Sequence, residues 1–335
     1  MKSPVKADET VTFFTSAAWP AGEPGKWETE VRGIIFEKES RPMVAAGLRR
    51  ALRVDEEKLT AAERTLLHER MNLFLADHKR AKSIPASIGD ECHQLPDSAP
   101  NGHFRGTLTF PAAATTPVVI RAVLPGGDPR QFTGTLLPMP DTAQPMIVSD
   151  VDDTIKITNV RDRAAAIRNT FQVPFAEVPG MAAVYQKWAQ HGADFHYVSG
   201  SPWQLYTPLE QFTRDAGFPA GAWHLKHLRL ADPGTVLAFL GPQHIYKLNA
   251  IRPLIARWQH RRFILVGDTG EQDPEIYATL AREHPARIAR ILLRNVSRET
   301  RGNPRMIAAC KGVPAQKWLL FDKAEELPAR LDAAP

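Results

Sequence analysis

The stretch MIVSDVDDTIKIT, residues 146–158, sets Asp150, Asp152 and Asp153 within four positions directly after an apolar run. Neighbouring carboxylates repel one another, and a plain loop gains nothing from crowding them. In an extended segment residues i and i+2 face the same side, so Asp150 and Asp152 can address one ligand while Val151 points away. Two further apolar runs end in polar groups: one in Ser199, Gly200 and Ser201, the other in Gly267 and Asp268, with Asp273 five residues on. If the three runs are neighbouring strands, these groups converge beyond the strands' carboxyl ends, where open α/β sheets bind ligands. Oxygen ligands without a nearby His or Cys suit a hard cation, and magnesium, which keeps several waters and borrows oxygens from a phosphate, is the expected one. An EF-hand is ruled out, because DVDDTIKITNVR lacks the glycine at its sixth position and the glutamate at its twelfth. For Asp153 alone, capping the loop would be role enough.

Elements of a particular kind must position these groups. From about residue 145 to 330 apolar runs (PMIVSD, DFHYVSG, RRFILVGD, ARILLRN, KWLLFD) alternate with helical segments such as GMAAVYQKWAQHG and LNAIRPLIARWQH. That alternation predicts an α/β domain with a doubly wound parallel sheet. Asp322, with Glu325 three residues later, predicts a capping box that opens a terminal helix. From about residue 10 to 140 the texture differs: short β-like runs (TVTFF, WETEVRGIIFE, HFRGTLTF, PVVIRAVLP, RQFTGTLLP) alternate with turn residues. They predict a smaller β-rich, sandwich-like domain. A helical insertion interrupts it at EEKLTAAERTLLHERMNLFLADHKR, and SIGDECHQLPDSAPNG reads as a loop by composition. Two domains also suit a length of 335 residues.

The D-x-D-x-T pattern after a strand, the strand-end serine, a downstream lysine and the G-D-x-x-x-x-D loop together resemble the haloacid dehalogenase superfamily. More narrowly, DVDDTIKITNV, YVSGSPWQLYTPLEQF, GFPAGAWHLK, IYKLNAIRPLI and FILVGDTGEQDPEIYATL resemble the catalytic domain of the actin-patch phosphatidate phosphatases, relatives of the lipins. The resemblance spans about residues 145–325, and it implies a magnesium-dependent phosphatase acting on phosphatidate or a related lipid phosphate. It implies that Asp150 is the nucleophile that forms an aspartyl-phosphate, and that Asp152 protonates the leaving oxygen and then activates water. Asp268 would hold magnesium with Asp150 and the backbone carbonyl of Asp152, and Asp273 would ligate through water or orient the loop. Ser199 would donate to a phosphoryl oxygen and Lys247 would neutralise charge, with Lys226 as the rival for that role. Thr154, Gly200 and Arg294 would support substrate or loops, Arg294 either reaching the site mouth or remaining solvated. Trp203 and Tyr206 read as packing residues. Phosphatase chemistry on a soluble phosphomonoester, and a non-catalytic lipid- or carbohydrate-binding protein on a vestigial phosphatase fold, are the alternatives.

Charge and composition bound the partners. The net charge of +5 favours acidic ones. Arg287, Arg290, Arg294, Arg298, Arg301, Arg305 and Lys311 face only Glu299 as an acid over residues 286–311, a run that suits peripheral contact with an anionic membrane or is simply solvated. Given the resemblance, nucleic acid is not an expected partner. The short spacing from Asp150 to Ser199 leaves no room for a large lid. Val160, Ala164, Ile167 and Phe171 form a stripe on the intervening flap, read as packing on the core. Cys92 and Cys310 are far apart and read as free, a single disulfide being the alternative. Val5 and Ala7 have the spacing of an export-cleavage site, which points to an exported or periplasmic protein, the alternative being cytoplasmic.

Overall fold

The computed structural model describes residues 3–38, 42–111, 116–227 and 244–331. The chain forms two compact units: residues 1–48, 71–141 and 221–223 in one, and 49–70, 142–220 and 224–335 in the other. Among the described residues no helix is long and apolar enough to cross a membrane.

The first unit is β-rich. Its strands are β1 (Glu9–Phe14), β2 (Ser16–Pro20), β3 (Lys26–Glu37), β4 (Asp77–His78), β5 (Ile84–Ile88), β6 (Glu91–Leu95), β7 (His103–Pro111), β8 (Val118–Ala122) and β9 (Thr133–Pro138). They join into one hydrogen-bonded set in the order β1-β3-β2-β9-β8-β5-β6, with β4 and β7 also paired to β3. The long strand β3 therefore links what a sandwich would keep as separate sheets. Strict alternation explains the strands: along β7, Phe104, Leu108 and Phe110 point inward while Arg105, Thr107 and Thr109 are exposed. They meet Val5, Val11, Phe13, Trp27, Val31, Ile35, Ile84, Ile120 and Leu136 in a single core. Part of the predicted loop at 87–102 is instead a hairpin, because Ile84, Ala86 and Ile88 alternate inward and Gly89, at a φ of +57°, allows a tight two-residue turn before Glu91. Its polar composition belongs to the exposed face of β6.

Helices α1 (Pro42–Leu52) and α2 (Ala61–Leu75) lie between β3 and β4 in sequence. The insertion predicted within the first domain is divided, since residues 49–70 cluster with the second unit.

The second unit holds β10 (Pro145–Ser149), β11 (Asp194–Pro202), β12 (Ala222–Lys226, of which 222–223 cluster with the first unit), β13 (Arg262–Asp268), β14 (Ile288–Arg294) and β15 (Trp318–Phe321). Their order is β12-β11-β10-β13-β14-β15. Parallel registers join β10 to β11 and β13, and β14 to β13 and β15. The chain leaves β10 toward one edge and later returns to its other side as β13, so the order reverses between these two strands, the place where such sheets bind ligands. Every residue of β10 is buried, as a central strand covered on both faces requires. The helices are α3 (Arg163–Phe171), α4 (Met181–Gln190), α5 (Tyr206–Asp215), α6 (His244–Arg257), α7 (Asp273–Glu283) and α8 (Pro304–Ala309). The strand β12 was not among the predicted runs, being only AWHLK in sequence. The terminal helix predicted from Asp322 and Glu325 is a single 3-10 turn, Ala324–Glu326, closed by Glu326 accepting from the backbone of Asp322 and Lys323. Pro328 disfavours helical backbone at Leu327 and stops it there.

Candidate active site

Asp150 leaves the end of β10 with its backbone N–H donated to Val266 on β13 at 2.8 Å, which sets the two strand ends side by side. Asp268 ends β13, and Asp273 opens α7. One carboxylate oxygen from each of Asp150, Asp268 and Asp273 lies within 4.8 Å of the others, and all three residues are buried. Lys247, one turn into α6 and fully buried, brings its ammonium 2.8 Å from Asp150, 2.6 Å from Asp273 and 3.4 Å from Glu271. Burial would discharge this lysine, but the three carboxylates outweigh it and hold it charged. Asp273 is satisfied on both oxygens, by Lys247 and by the N–H of Asp268 at 3.2 Å. Gly267 is required here: a Cβ would sit 2.2 Å from Asp273 Oδ2, so a side chain would displace the carboxylate.

The cluster is short of positive charge. Asp268 Oδ1 accepts from Gly270 at 2.5 Å, but Oδ2 has no hydrogen-bond donor; Asp150 Oδ2 accepts from Thr154 at 3.1 Å, whereas Oδ1 has the nearby lysine but no aligned hydrogen bond. A buried carboxylate oxygen left in this state is costly. Burial and the neighbouring acids push Asp268 and Asp150 well above the usual carboxylate range, Lys247 opposing the shift in both, and burial lifts Glu271 to about 7. Two buried, under-satisfied carboxylate oxygens in an all-oxygen cluster fit a hard divalent cation of the magnesium type.

The second acid of the motif has the opposite surroundings. Asp152 Oδ1 accepts from Thr158 at 2.7 Å and meets the buried ammonium of Lys156 at 2.8 Å; Oδ2 accepts from Ser199 at 3.0 Å and Ser201 at 2.8 Å. Burial works against ionisation, yet Lys156 and the hydroxyls hold Asp152 at about 2. Asp153 has a φ of +56° and accepts the N–H groups of Thr158, Asn159 and Val160, so it caps the loop.

Against this geometry stands the comparison with known proteins. Residues 145–295 match the family model described as the catalytic domain of phosphatidate phosphatase APP1. Over 152 residues the chain is 36% identical to phosphatidate phosphatase APP1 of Saccharomyces cerevisiae, a match covering 44% of this chain and 25% of that protein. Over 154 residues it is 31% identical to an uncharacterized protein of Schizosaccharomyces pombe, covering 45% and 25%. The similarity to this family of catalytic domains is carried by residues 145–295. The matched stretch spans a quarter of each curated relative's length.

The APP1-type segment contains every residue singled out above for chemistry, and the structure sorts them. Asp150, Asp268, Asp273 and Lys247 converge. Lys226, the rival lysine, ends β12 half-buried. Ser199 is directed at Asp152, and Gly200 is buried between it and Ser201. Arg294 donates to the backbone oxygen of Asp153 at 2.7 Å, bracing the motif loop. Trp203 and Tyr206 are buried packing residues. Ile167 and Phe171 of the flap stripe pack inward, while Ala164 is exposed.

Lys156, Thr158 and Glu271 were not singled out in the sequence. The only signal for Lys156 was a cation within the motif itself, three residues beyond Asp153. The basic run proves to be largely engaged. Arg287 donates to Arg261 O at 2.9 Å, Arg301 lies 4.2 Å from the Trp318 ring, and Arg305 pairs with Glu275 at 2.8 Å and donates to Thr269 O at 2.6 Å. With Arg294 that accounts for four of the seven cations; Arg290, Arg298 and Lys311 are exposed. Both cysteines are free.

Proposed function

We propose that the chain is a magnesium-dependent phosphatase of haloacid-dehalogenase type, acting on phosphatidate or a related lipid phosphate through a phosphorylated Asp150. The observation that carries the reading is the buried cluster of Asp150, Asp268, Asp273 and Lys247 at the strand-order reversal, within a segment similar to the APP1 catalytic family. The lipid substrate is taken from the name of the Saccharomyces cerevisiae relative.

Asp150, Asp268 and Asp273 would hold the cation, together with the backbone carbonyl of Asp152. When bound, magnesium supplies the positive charge that lets an anionic phosphate approach these acids. Asp150 is the attacking carboxylate. Lys247, touching its Oδ1, lowers the repulsion between that oxygen and the incoming phosphoryl group. Asp152, ionised among its present donors, first takes up a proton from solvent, gives it to the leaving oxygen, and then takes one from the attacking water, which returns it to the protonated form. It must turn from its present donors or exchange its proton within that network, and Ser199 and Ser201 are released toward the phosphoryl oxygens as it does so.

A soluble phosphomonoester is the second reading, favoured by the engagement of four of the seven basic-run cations within the fold, which leaves few to meet an anionic membrane. One experiment separates the two: phosphate release from phosphatidate in mixed micelles against a panel of soluble phosphoesters, with and without magnesium. Turnover confined to phosphatidate supports the lead. Comparable or better turnover of a soluble ester replaces it, and no turnover of any ester with the metal present means the domain is not a working phosphatase.

A further inference from the structure

The surroundings of the second acid's lysine reach beyond the APP1-type segment. Lys156 is 1% exposed, and its ammonium lies 2.8 Å from Asp152 and 4.8 Å from the centre of the Phe175 ring. The guanidinium of Arg70, on α2, lies over the same ring at 3.8 Å. Arg70 is itself buried, and its Nη1 donates to the backbone oxygens of Thr170 and Val173, both at 2.7 Å. These carbonyls sit at the end of α3, where unsatisfied oxygens and the negative end of the helix dipole favour a cation. A second tie, Glu63 to Arg168 at 2.7 Å, joins α2 to the same helix.

The flap runs from 155 to 178 as two arms closed around α3. Ile157 donates to Ala176 O at 2.8 Å, Val178 donates to Ile155 O at 2.9 Å, and the backbones of Lys156 and Glu177 form an antiparallel β-bridge. Lys156 and Phe175 thus lie on facing arms, and anchoring one arm fixes the other.

We propose that Arg70 is a positioning residue for Asp152: it anchors the end of the flap helix and the Phe175 ring, and so holds the Lys156 ammonium against the Asp152 carboxylate. The inference rests on the reading of Asp152 as the group that exchanges protons with the leaving oxygen. It makes α2, contributed by the half of the chain that precedes the matched segment, part of the catalytic apparatus. Lysine is no full equivalent at position 70: an ammonium could reach the two carbonyls, but only the longer guanidinium meets both through Nη1 while its carbon stays over the Phe175 ring.

The test uses full-length Arg70→Met, Arg70→Lys and Lys156→Met. Each is characterised by thermal melting, by turnover of phosphatidate and of p-nitrophenyl phosphate, and by amide hydrogen exchange. Lys156→Met should lower kcat on phosphatidate by about 10²-fold or more, the lower range of general acid–base help, and much less on the aryl ester, whose leaving group needs little protonation. Arg70→Met should lower it by about tenfold with the same preference for the alkyl ester, and KM should change little. Arg70→Lys should fall between Met and wild type. Exchange at the Ile157 and Val178 amides should rise by about tenfold in Arg70→Met while β10 and β13 keep their protection.

Equal loss on both substrates, or wild-type turnover together with unchanged flap exchange, overturns the proposal. If the wild type hydrolyses neither ester, the phosphatase reading fails. Flap exchange then still decides the anchor: faster exchange upholds it and unchanged exchange overturns it. Should Arg70→Met fail to fold, Arg70→Lys and Phe175→Leu carry the same comparison.

Discussion

Two acids two residues apart in one motif occupy opposite environments. The carboxylates around Asp150 crowd into a buried space where two oxygens lack hydrogen bonds and one ammonium serves three acids. The carboxylate of Asp152 meets a lysine of its own and accepts from three hydroxyls. The first cluster is unfavourable by itself and becomes favourable only when charge arrives. The second is fully hydrogen-bonded as it stands. On the proposed reading both have a use: an under-neutralised pocket would draw in a cation, and a carboxylate held by four donors would keep its place until it turns to the leaving oxygen.

The largest expected effects break the first cluster. Asp150→Asn should reduce turnover to background and abolish any phosphoryl adduct, read by phosphate release and by mass spectrometry after acid quench. Chelation should do the same to the wild type, and magnesium should restore it where calcium does so poorly. Full activity in excess chelator would end the metal assignment.

Breaking the second cluster should cost less. Asp152→Asn should lose about 10²- to 10⁴-fold on phosphatidate, recover part of that loss on an aryl phosphate, and still bind the metal, as calorimetry would report. If it loses metal binding and both substrates equally, the roles of the two acids have been misread.

A smaller effect is thermodynamic. Asp150 and Asp268 are raised by burial and by neighbouring acids, Asp273 and Glu271 among them, and Glu271 rises from 4.5 to about 7. A raised folded-state pKa gives stability that is present below the unfolded value and lost as pH rises through the folded one. The chelated protein should therefore melt at progressively lower temperature between about pH 4.5 and 7. Asp152, held at about 2, acts in the opposite sense, and only below about pH 4. Calorimetric melts against pH, with chelator and with magnesium, check this: the metal-loaded protein should show the flatter curve. Asp268→Asn should raise the melting temperature of the chelated form near pH 7, by about 2–4 °C for each kcal/mol of repulsion relieved.

The smallest effect concerns the surface. With Arg287, Arg294, Arg301 and Arg305 engaged within the fold, though Arg301 is still exposed, Arg290, Arg298 and Lys311 are the other exposed cations of the run, so higher salt should lower turnover on anionic vesicles by only a few-fold as screening shortens to about 8 Å. A steep salt dependence would mean that further cations reach the membrane.

Much of the site was legible along the chain because parallel strands deliver polar residues at their carboxyl ends. An apolar run followed by Asp150, another by Ser199 and a third by Asp268 is a one-dimensional record of one sheet edge. The capping role of Asp153 is equally local, since its three partners lie within seven residues. Position in the chain could not assign partners across it. Whether Lys226 or Lys247 met the acids depended on how α6 packs, and whether Arg294, Arg301 and Arg305 were solvated or braced depended on carbonyls supplied by other elements. The predicted loop at 87–102 failed for a related reason: half-exposed strands look polar, and only pairing reveals them. Local spacing therefore determined which acids stand at the end of which strand. Tertiary structure decided which of them are neutralised, because electrostatic energy in a buried site falls with distance through space and takes no account of distance along the chain.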